Sequence, residues 1–357
     1  MSTPSETRES SARYVYAIGG VRMGPMTDLH GTEYQPPFVG PTTFLRTPYA
    51  RTAAELAGMS PDVAVIGAPV DMGTVNRPGA RLAPRAIRQA GYFGTPHTDV
   101  YHMGLGVYPT RVLKIVDFGD ANCPPHSLEM AHQAIWTKVT EALQAGAVPV
   151  VLGGDHSITQ PSATAVAQHL GFGRVGIVHF DAHPDTGALS YGEVLLGHGT
   201  PMRRLIESGA VPGRNFVQVG LRGYWPPGDI FEWMKAQHMR WHPMAEIETR
   251  GFDAVLEEAI SEAKDGPDYI YLSVDIDVLD PAYAPGTGTP EPGGITSAEL
   301  LRAVRRIAST VKLVAMDVVE VSPPFDGPGA ITSEAAHRVV LEAISALAWS
   351  KEQAQNV

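Results

Sequence analysis

The sequence predicts a single three-layer α/β domain in which an open, mostly parallel sheet of eight strands is covered by helices on both faces. Two observations carry this expectation. Short runs that are nearly continuous in Val, Ile and Leu recur along the chain, as in strands buried on both sides. Amphipathic helical patterns separate many of them, and that alternation is the mark of a parallel sheet. With 357 residues, 44% of them hydrophobic, the chain can bury the core such a sheet needs. The pattern by itself also admits closure of the eight strands into a barrel.

Residues 1–60 are rich in Gly, Pro and polar side chains and show little periodicity. They are expected to form an N-terminal arm or lid that packs on the body, or on a neighbouring subunit, through apolar pieces at Phe38 and Phe44-Leu45. Residues 61–357 form the main domain. Its strands are expected at 62–70, 111–118, 147–152, 174–180, 215–221, 239–243, 269–274 and 312–319. Amphipathic helices are expected at 128–144, 252–264, 297–308 and 333–347. The chain shows no internal repeat, heptad array or low-complexity tract.

A formal net charge of −11 leaves no basic face for a phosphate backbone, so nucleic acid is not an expected partner. An acidic chain instead attracts cations, whether metals or guanidinium and amine groups. Its single cysteine, Cys123, can build neither a disulfide framework nor a thiolate metal site. The first ten residues lack the apolar stretch of a signal peptide, and no later run approaches a membrane span. A cytoplasmic protein without membrane contact is expected.

Three expected strands end in acidic or His-bearing motifs: Gly153-Gly154-Asp155-His156, Asp181-Ala182-His183-Pro184-Asp185 and Asp275-Ile276-Asp277. Alternate residues of an extended segment point the same way. Asp181, His183 and Asp185 therefore converge if strand geometry persists past Phe180, as do Asp275 and Asp277. Gly153-Gly154 gives His156 a tight exit from its strand, and ligands gather beyond the carboxyl ends of strands in open α/β sheets. Four carboxylates held together repel unless cations intervene, and two divalent ions balance four carboxylates. His156 and His183 complete a nitrogen and oxygen set without sulfur, which suits Mn2+, with Ni2+ as the alternative.

These motifs, together with Arg77-Pro78-Gly79-Ala80-Arg81, His198-Gly199-Thr200 and Ser273-Val274-Asp275-Ile276-Asp277-Val278-Leu279-Asp280-Pro281, resemble the ureohydrolases, the arginase and agmatinase family. The resemblance runs from about Gly67 to the C-terminus and implies the open sheet over the barrel. It implies that His156, Asp181, His183, Asp185, Asp275 and Asp277 bind two divalent ions, and that Asp185 also orients a bridging hydroxide. His198 matches the family's proton shuttle. Glu320 matches the carboxylate that holds the guanidinium, here through two parallel hydrogen bonds. The implied reaction cleaves a guanidino C–N bond to urea and an amine, in agmatinase-like fashion. The alternative is the same chemistry on guanidine, an alkylguanidine, guanidinobutyrate or a biguanide such as metformin; a further reading is a non-catalytic partner subunit. Family members assemble as trimers or hexamers, so an oligomer is expected, with a related subunit as one form of it. Between Asp185 and His198 there is no Lys or Arg to meet a carboxylate tail, whereas Glu193 could meet the ammonium of agmatine.

Overall fold

The computed structural model describes residues 40–91, 100–190 and 192–355, together with the backbone of two short paired strands, β1 (Ala17–Ile18) and β2 (Val21–Arg22). The eight expected strands are present as β3 (Val63–Ala68), β4 (Ile115–Asp120), β5 (Val148–Gly153), β6 (Val175–Phe180), β7 (Phe216–Val219), β8 (Arg240–His242), β9 (Tyr269–Asp275) and β10 (Leu313–Val319). They form one open sheet in the order β4-β3-β5-β10-β9-β6-β7-β8. Every pairing in it is parallel. The expected "mostly parallel" sheet is thus wholly so.

Strand residues alternate between two separate apolar layers. Val63, Val65, Val178, Phe180, Met316 and Val318 pack in one with the buried faces of α2 (Ala83–Ala90), α8 (Met244–Arg250), α9 (Phe252–Ala263), α10 (Ser297–Ala308) and α11 (Ile331–Gln355). Ala64, Ile66, Val175, Ile177, Ala315 and Val319 pack in the other with α1 (Ala53–Met59), α4 (Leu128–Gln144), α5 (Thr159–Leu170), α6 (Pro201–Glu207) and α7 (Gly228–Ala236). Burial on both faces is why the strands carry unbroken apolar runs. Among the described residues no helix is long and apolar enough to cross a membrane.

Several strands are a residue or two shorter at their ends than expected, and two element boundaries differ by more, for local reasons. The strand expected at 111–118 starts only at Ile115, because Pro109 opens a helical turn, α3 (Pro109–Val112), and its fixed φ suits a first helical position. The last helix begins at Ile331, where Asp326 accepts hydrogen bonds from the backbone N–H groups of Thr332 (2.7 Å) and Ser333 (2.8 Å), and it runs on to Gln355. Of the expected arm, residues 40–60 lie on the body: Phe44, Leu45, Ala50 and Leu56 are buried, and Tyr49 bridges to Asp117. The rest of the arm, apart from β1 and β2, lies outside the described residues.

A buried ion pair ties this segment to the sheet. Arg88 of α2 donates to both oxygens of Asp117 on β4 (2.8 and 3.0 Å) and to Asp120 (2.6 Å). Asp117 also accepts the backbone N–H of Phe44 (2.7 Å). Removing one partner of such a pair strands the other charge, so Arg88→Ala is expected to cost about 3–5 kcal/mol. Chemical denaturation measures this, and a loss below about 1 kcal/mol, the range of an exposed pair, would show that the pair is solvated in solution.

Candidate metal centre

Four neighbouring strands, β5, β10, β9 and β6, deliver the site from their carboxyl ends. The chain leaves β5 through Gly154, where a Cβ would stand 2.2 Å from the Val70 carbonyl oxygen, so only glycine passes. Asp155 then accepts from Gly73 N (2.7 Å) and Ser157 N (3.0 Å), which fixes the turn that buries His156. Asp275 is the last residue of β9, and its Oδ1 accepts from Asp277 N (2.8 Å) so that both carboxylates face the same hollow. Asp181 follows β6 directly.

All six expected ligands come together. The Nδ1 of His156 lies 3.1 Å from Asp181 Oδ2, 2.9 Å from Asp185 Oδ2 and 3.0 Å from Asp275 Oδ2. The Nδ1 of His183 lies 3.1 Å from Asp277 Oδ2 and 3.5 Å from Asp181 Oδ1. Asp181 thereby spans both groups, one oxygen toward each ring. The route by which Asp185 arrives differs from expectation. Strand geometry stops at Phe180, and Asp185 turns back in the left-handed region (φ 51°) after Pro184. Such backbone costs roughly 1–2 kcal/mol in a residue other than glycine, and it clusters at sites where surrounding contacts enforce it.

The donor set fits a metal. A single ring nitrogen facing three carboxylate oxygens can satisfy at most one of them with a proton, whereas a cation serves all four donors. Titration points the same way. Burial disfavours the ionised forms of Asp275 and Asp185, and neighbouring carboxylates add to it, so Asp275 stands well above the usual carboxylate range and Asp185 above it. Burial opposes charge on the two rings as well. Asp181, Asp185 and Asp275 nonetheless lift His156 well above its ordinary value, and Asp277 and Asp181 lift His183 to about 12. Asp181 is held well below the usual range, because His179, His156 and His183 outweigh its burial. The cluster draws in positive charge, as protons when no metal is bound. Its His and Asp donors gather into two groups that could each hold an ion, one around His156, Asp181 and Asp185 and one of Asp181, His183 and Asp277.

His179 stands among the first group, yet its bonding marks it as a donor. The amide Nε2 of Gln218 donates to Pro184 O (2.8 Å) and to His179 Nδ1 (2.8 Å). The ring proton therefore sits on Nε2 and is donated to Asp181 Oδ2 (2.8 Å). Sequence reasoning missed this pair. The available signal was a histidine and a glutamine at matched register on two adjacent buried strands.

His198 and Glu320 are joined. The Nδ1 of His198 lies 2.9 Å from Glu320 Oε1, and Val75 N donates to its Nε2 (3.2 Å), so the ring donates to the carboxylate. Burial opposes the charged ring, but Glu320, Asp185 and Asp155 lift His198 to about 9. Glu320 is itself held low by His198 and by the His156 N–H, against its burial. Oε1 also accepts the His156 backbone N–H (2.8 Å), while the buried Oε2 has no partner among the described residues. One oxygen of the expected two-oxygen fork is thus already engaged, and the other is unpaired among the described residues. Gly288 makes room for it, since a Cβ there would come within 2.8 Å of Oε2.

The centre opens into a cleft of about 430 Å³. His183, Asp185, His198 and Asp275 form its floor, and Val75, Leu189, Ser190, Gly199, Trp225 and Thr289 form its walls. Among the described residues no Lys or Arg lines it, and Glu193 is exposed and outside the lining.

A sequence model of the arginase family matches residues 61–346. The chain is 36% identical over 299 residues to a guanidinobutyrase of Pseudomonas aeruginosa, covering 84% of this chain and 90% of that one. It is 38% identical over 291 residues to a mitochondrial agmatinase of Gallus gallus, covering 82% and 81%. The solved proclavaminate amidino hydrolase of Streptomyces clavuligerus superposes with a TM-score of 0.76 at 34% identity, covering 88% of this chain and 100% of that one. The chain therefore belongs to the arginase family, the metal-dependent ureohydrolases, and has agmatinases among its relatives.

Proposed function

We propose that this protein uses two divalent metal ions, Mn2+ first and Ni2+ as the alternative, to hydrolyse the guanidino C–N bond of a small guanidine with a compact, uncharged tail. Urea and an amine are the products. One ion belongs with His156, Asp181, Asp185 and Asp275, the other with His183, Asp277 and the second oxygen of Asp181. Two ions held there supply Lewis acidity and a hydroxide nucleophile near neutral pH.

The observation that carries the substrate class is Glu320 Oε2, a buried acceptor without a partner beside the ligand cluster. A guanidinium N–H satisfies it and brings a positive charge to a negative pocket. His198 lines the same cleft, and its contact with Glu320 favours the ring's taking up a second proton. It is placed to give that proton to the departing nitrogen. Asp185, in contact with His156 in the ligand cluster, would orient the nucleophile that the two ions supply.

The walls decide between tails. A carboxylate tail needs a cation, and an ammonium tail such as agmatine's needs an anion beyond the ligand set. Among the described residues the cleft walls offer neither. Val75, Leu189 and Trp225 suit hydrogen or short alkyl groups on the guanidine. Assembly as a trimer or hexamer belongs to the same proposal, supported by exposed apolar side chains on the segments around the cleft, namely Leu189, Val194, Leu195 and Tyr224.

A urea-release screen over guanidine, alkylguanidines, agmatine, guanidinobutyrate, guanidinopropionate, arginine and metformin, run separately with Mn2+ and Ni2+, tests the tail. Uncharged tails are expected to exceed charged ones by at least ~10-fold in kcat/KM, because a charged tail is desolvated without a partner; agmatine as the best substrate would refute the compact-tail reading. Asp277→Ala is expected to lower metal content from two ions toward one and urea release to background, and full activity in that variant would move the site elsewhere. For Glu320→Gln, loss of the charged acceptor predicts a fall in kcat/KM of roughly 10–100-fold, the value of a charge-assisted hydrogen bond, with metal content unchanged.

A further inference from the structure

Asp317 lies in the middle of β10 with no exposed surface, a charged residue inside an apolar run on a central strand. A buried carboxylate is tolerated only where donors fill its lone pairs. Three hydroxyls do so: Thr159 Oγ1 (2.7 Å) and Tyr271 OH (2.6 Å) donate to Oδ2, and Ser273 Oγ (2.7 Å) donates to Oδ1. None of these residues lines the cleft. Ser273 is also 2.9 Å from His156 Nε2. A serine hydroxyl has one proton, and here it goes to Asp317. Toward His156 the oxygen can only accept, so the ring N–H is on Nε2, and Nδ1 turns its lone pair toward Asp181, Asp185 and Asp275.

We propose that Asp317 is a positioning residue for metal binding: acting through Ser273, it holds His156 in the Nε2–H form that leaves Nδ1 free to ligate. This rests on the reading of the cluster as a metal site. The relay has a direction, set by the one group in it that accepts and never donates when ionised. It also serves one ion only, since His183 has no part in it.

Direction makes the proposal testable with an isosteric change. In Asp317→Asn the amide oxygen takes the Thr159 and Tyr271 hydroxyls, so the amide N–H faces Ser273. Ser273 then donates to His156 Nε2, and the ring proton is forced onto Nδ1, where a metal must displace it. Equilibrium dialysis of the whole protein against Mn2+ is expected to show a roughly 10–100-fold weaker ion, the usual effect of losing an outer hydrogen-bond partner. The other ion should hold its affinity, and urea release should return at saturating Mn2+. Ser273→Ala cuts the relay without adding bulk and should weaken the same ion. In that background Asp317→Asn should change metal affinity no further, as for two residues acting through one path.

Equal weakening of both ions, or an Asp317→Asn effect undiminished in Ser273→Ala, would assign Asp317 to general sheet stability and overturn the proposal. Unchanged affinity in Ser273→Ala overturns it as well, even if the Asp317 variant does not fold. Failure of the metal reading looks different, because the unaltered protein would then bind no Mn2+.

Discussion

The architecture depends on concentrating negative charge where it is hardest to bear. Asp181, Asp185, Asp275 and Asp277 are all at least nine-tenths buried, within a few ångströms of two imidazoles. Four carboxylates cannot remain ionised together in a low-dielectric hollow without cations. The sheet makes the arrangement possible by bringing the carboxyl ends of β5, β10, β9 and β6 side by side. The strands themselves are held by apolar burial on both faces, which does not depend on the site. A rigid, independently stable platform can therefore present a cluster that would push itself apart on a looser one.

How legible this was in the sequence varies with the kind of contact. The ligand motifs were legible because each is local: a pair or triplet of donors within five residues at the end of one apolar run. The eight strands were legible for the same reason. What escaped were contacts between residues far apart in sequence. His179 and Gln218 are 39 residues apart, Ser273 and Asp317 are 44 apart, and each looks like an isolated polar residue in a strand. Parallel pairing brings them together, and registry between distant strands has no signature in one sequence. The positive φ values of Asp185 and Glu320 were equally hidden, since Glu has no preference for left-handed backbone and the enrichment of Asp there does not single out one aspartate among many.

Strand-end ligands and loop walls also differ in what the fold demands of them. His156, Asp181, Asp275 and Glu320 are placed by residues within or next to the central strands, so their geometry is tied to the sheet. Gly73 to Val75, Leu189, Ser190, Gly199 and Trp225 belong to the connecting segments above it, and those segments are held by a few backbone contacts such as Gly187 N to Gly199 O (2.9 Å). Four of the site's carboxylates and imidazoles are thus anchored by the sheet itself, while His183, Asp185 and His198 share a connecting segment with the walls. A change in a wall residue can alter which guanidine fits without disturbing a ligand.

The two connecting segments nevertheless feed back on the chemistry through one residue. Asp155 fixes Gly73, and two residues later the Val75 N–H rests on His198 Nε2, the nitrogen that faces away from Glu320. In this state both nitrogens of His198 are engaged, Nδ1 by Glu320 and Nε2 by Val75. At 3.2 Å the Val75 contact lies at the long end of the hydrogen-bond range, whereas the Glu320 contact, at 2.9 Å, is to a carboxylate and is the stronger. The weaker one gives way first. A substrate entering between Val75 and His198 would therefore exchange a backbone N–H for its own nitrogen on the ring. On the proposed function, the loop that shapes the cleft wall would thus also hold the His198 ring in place.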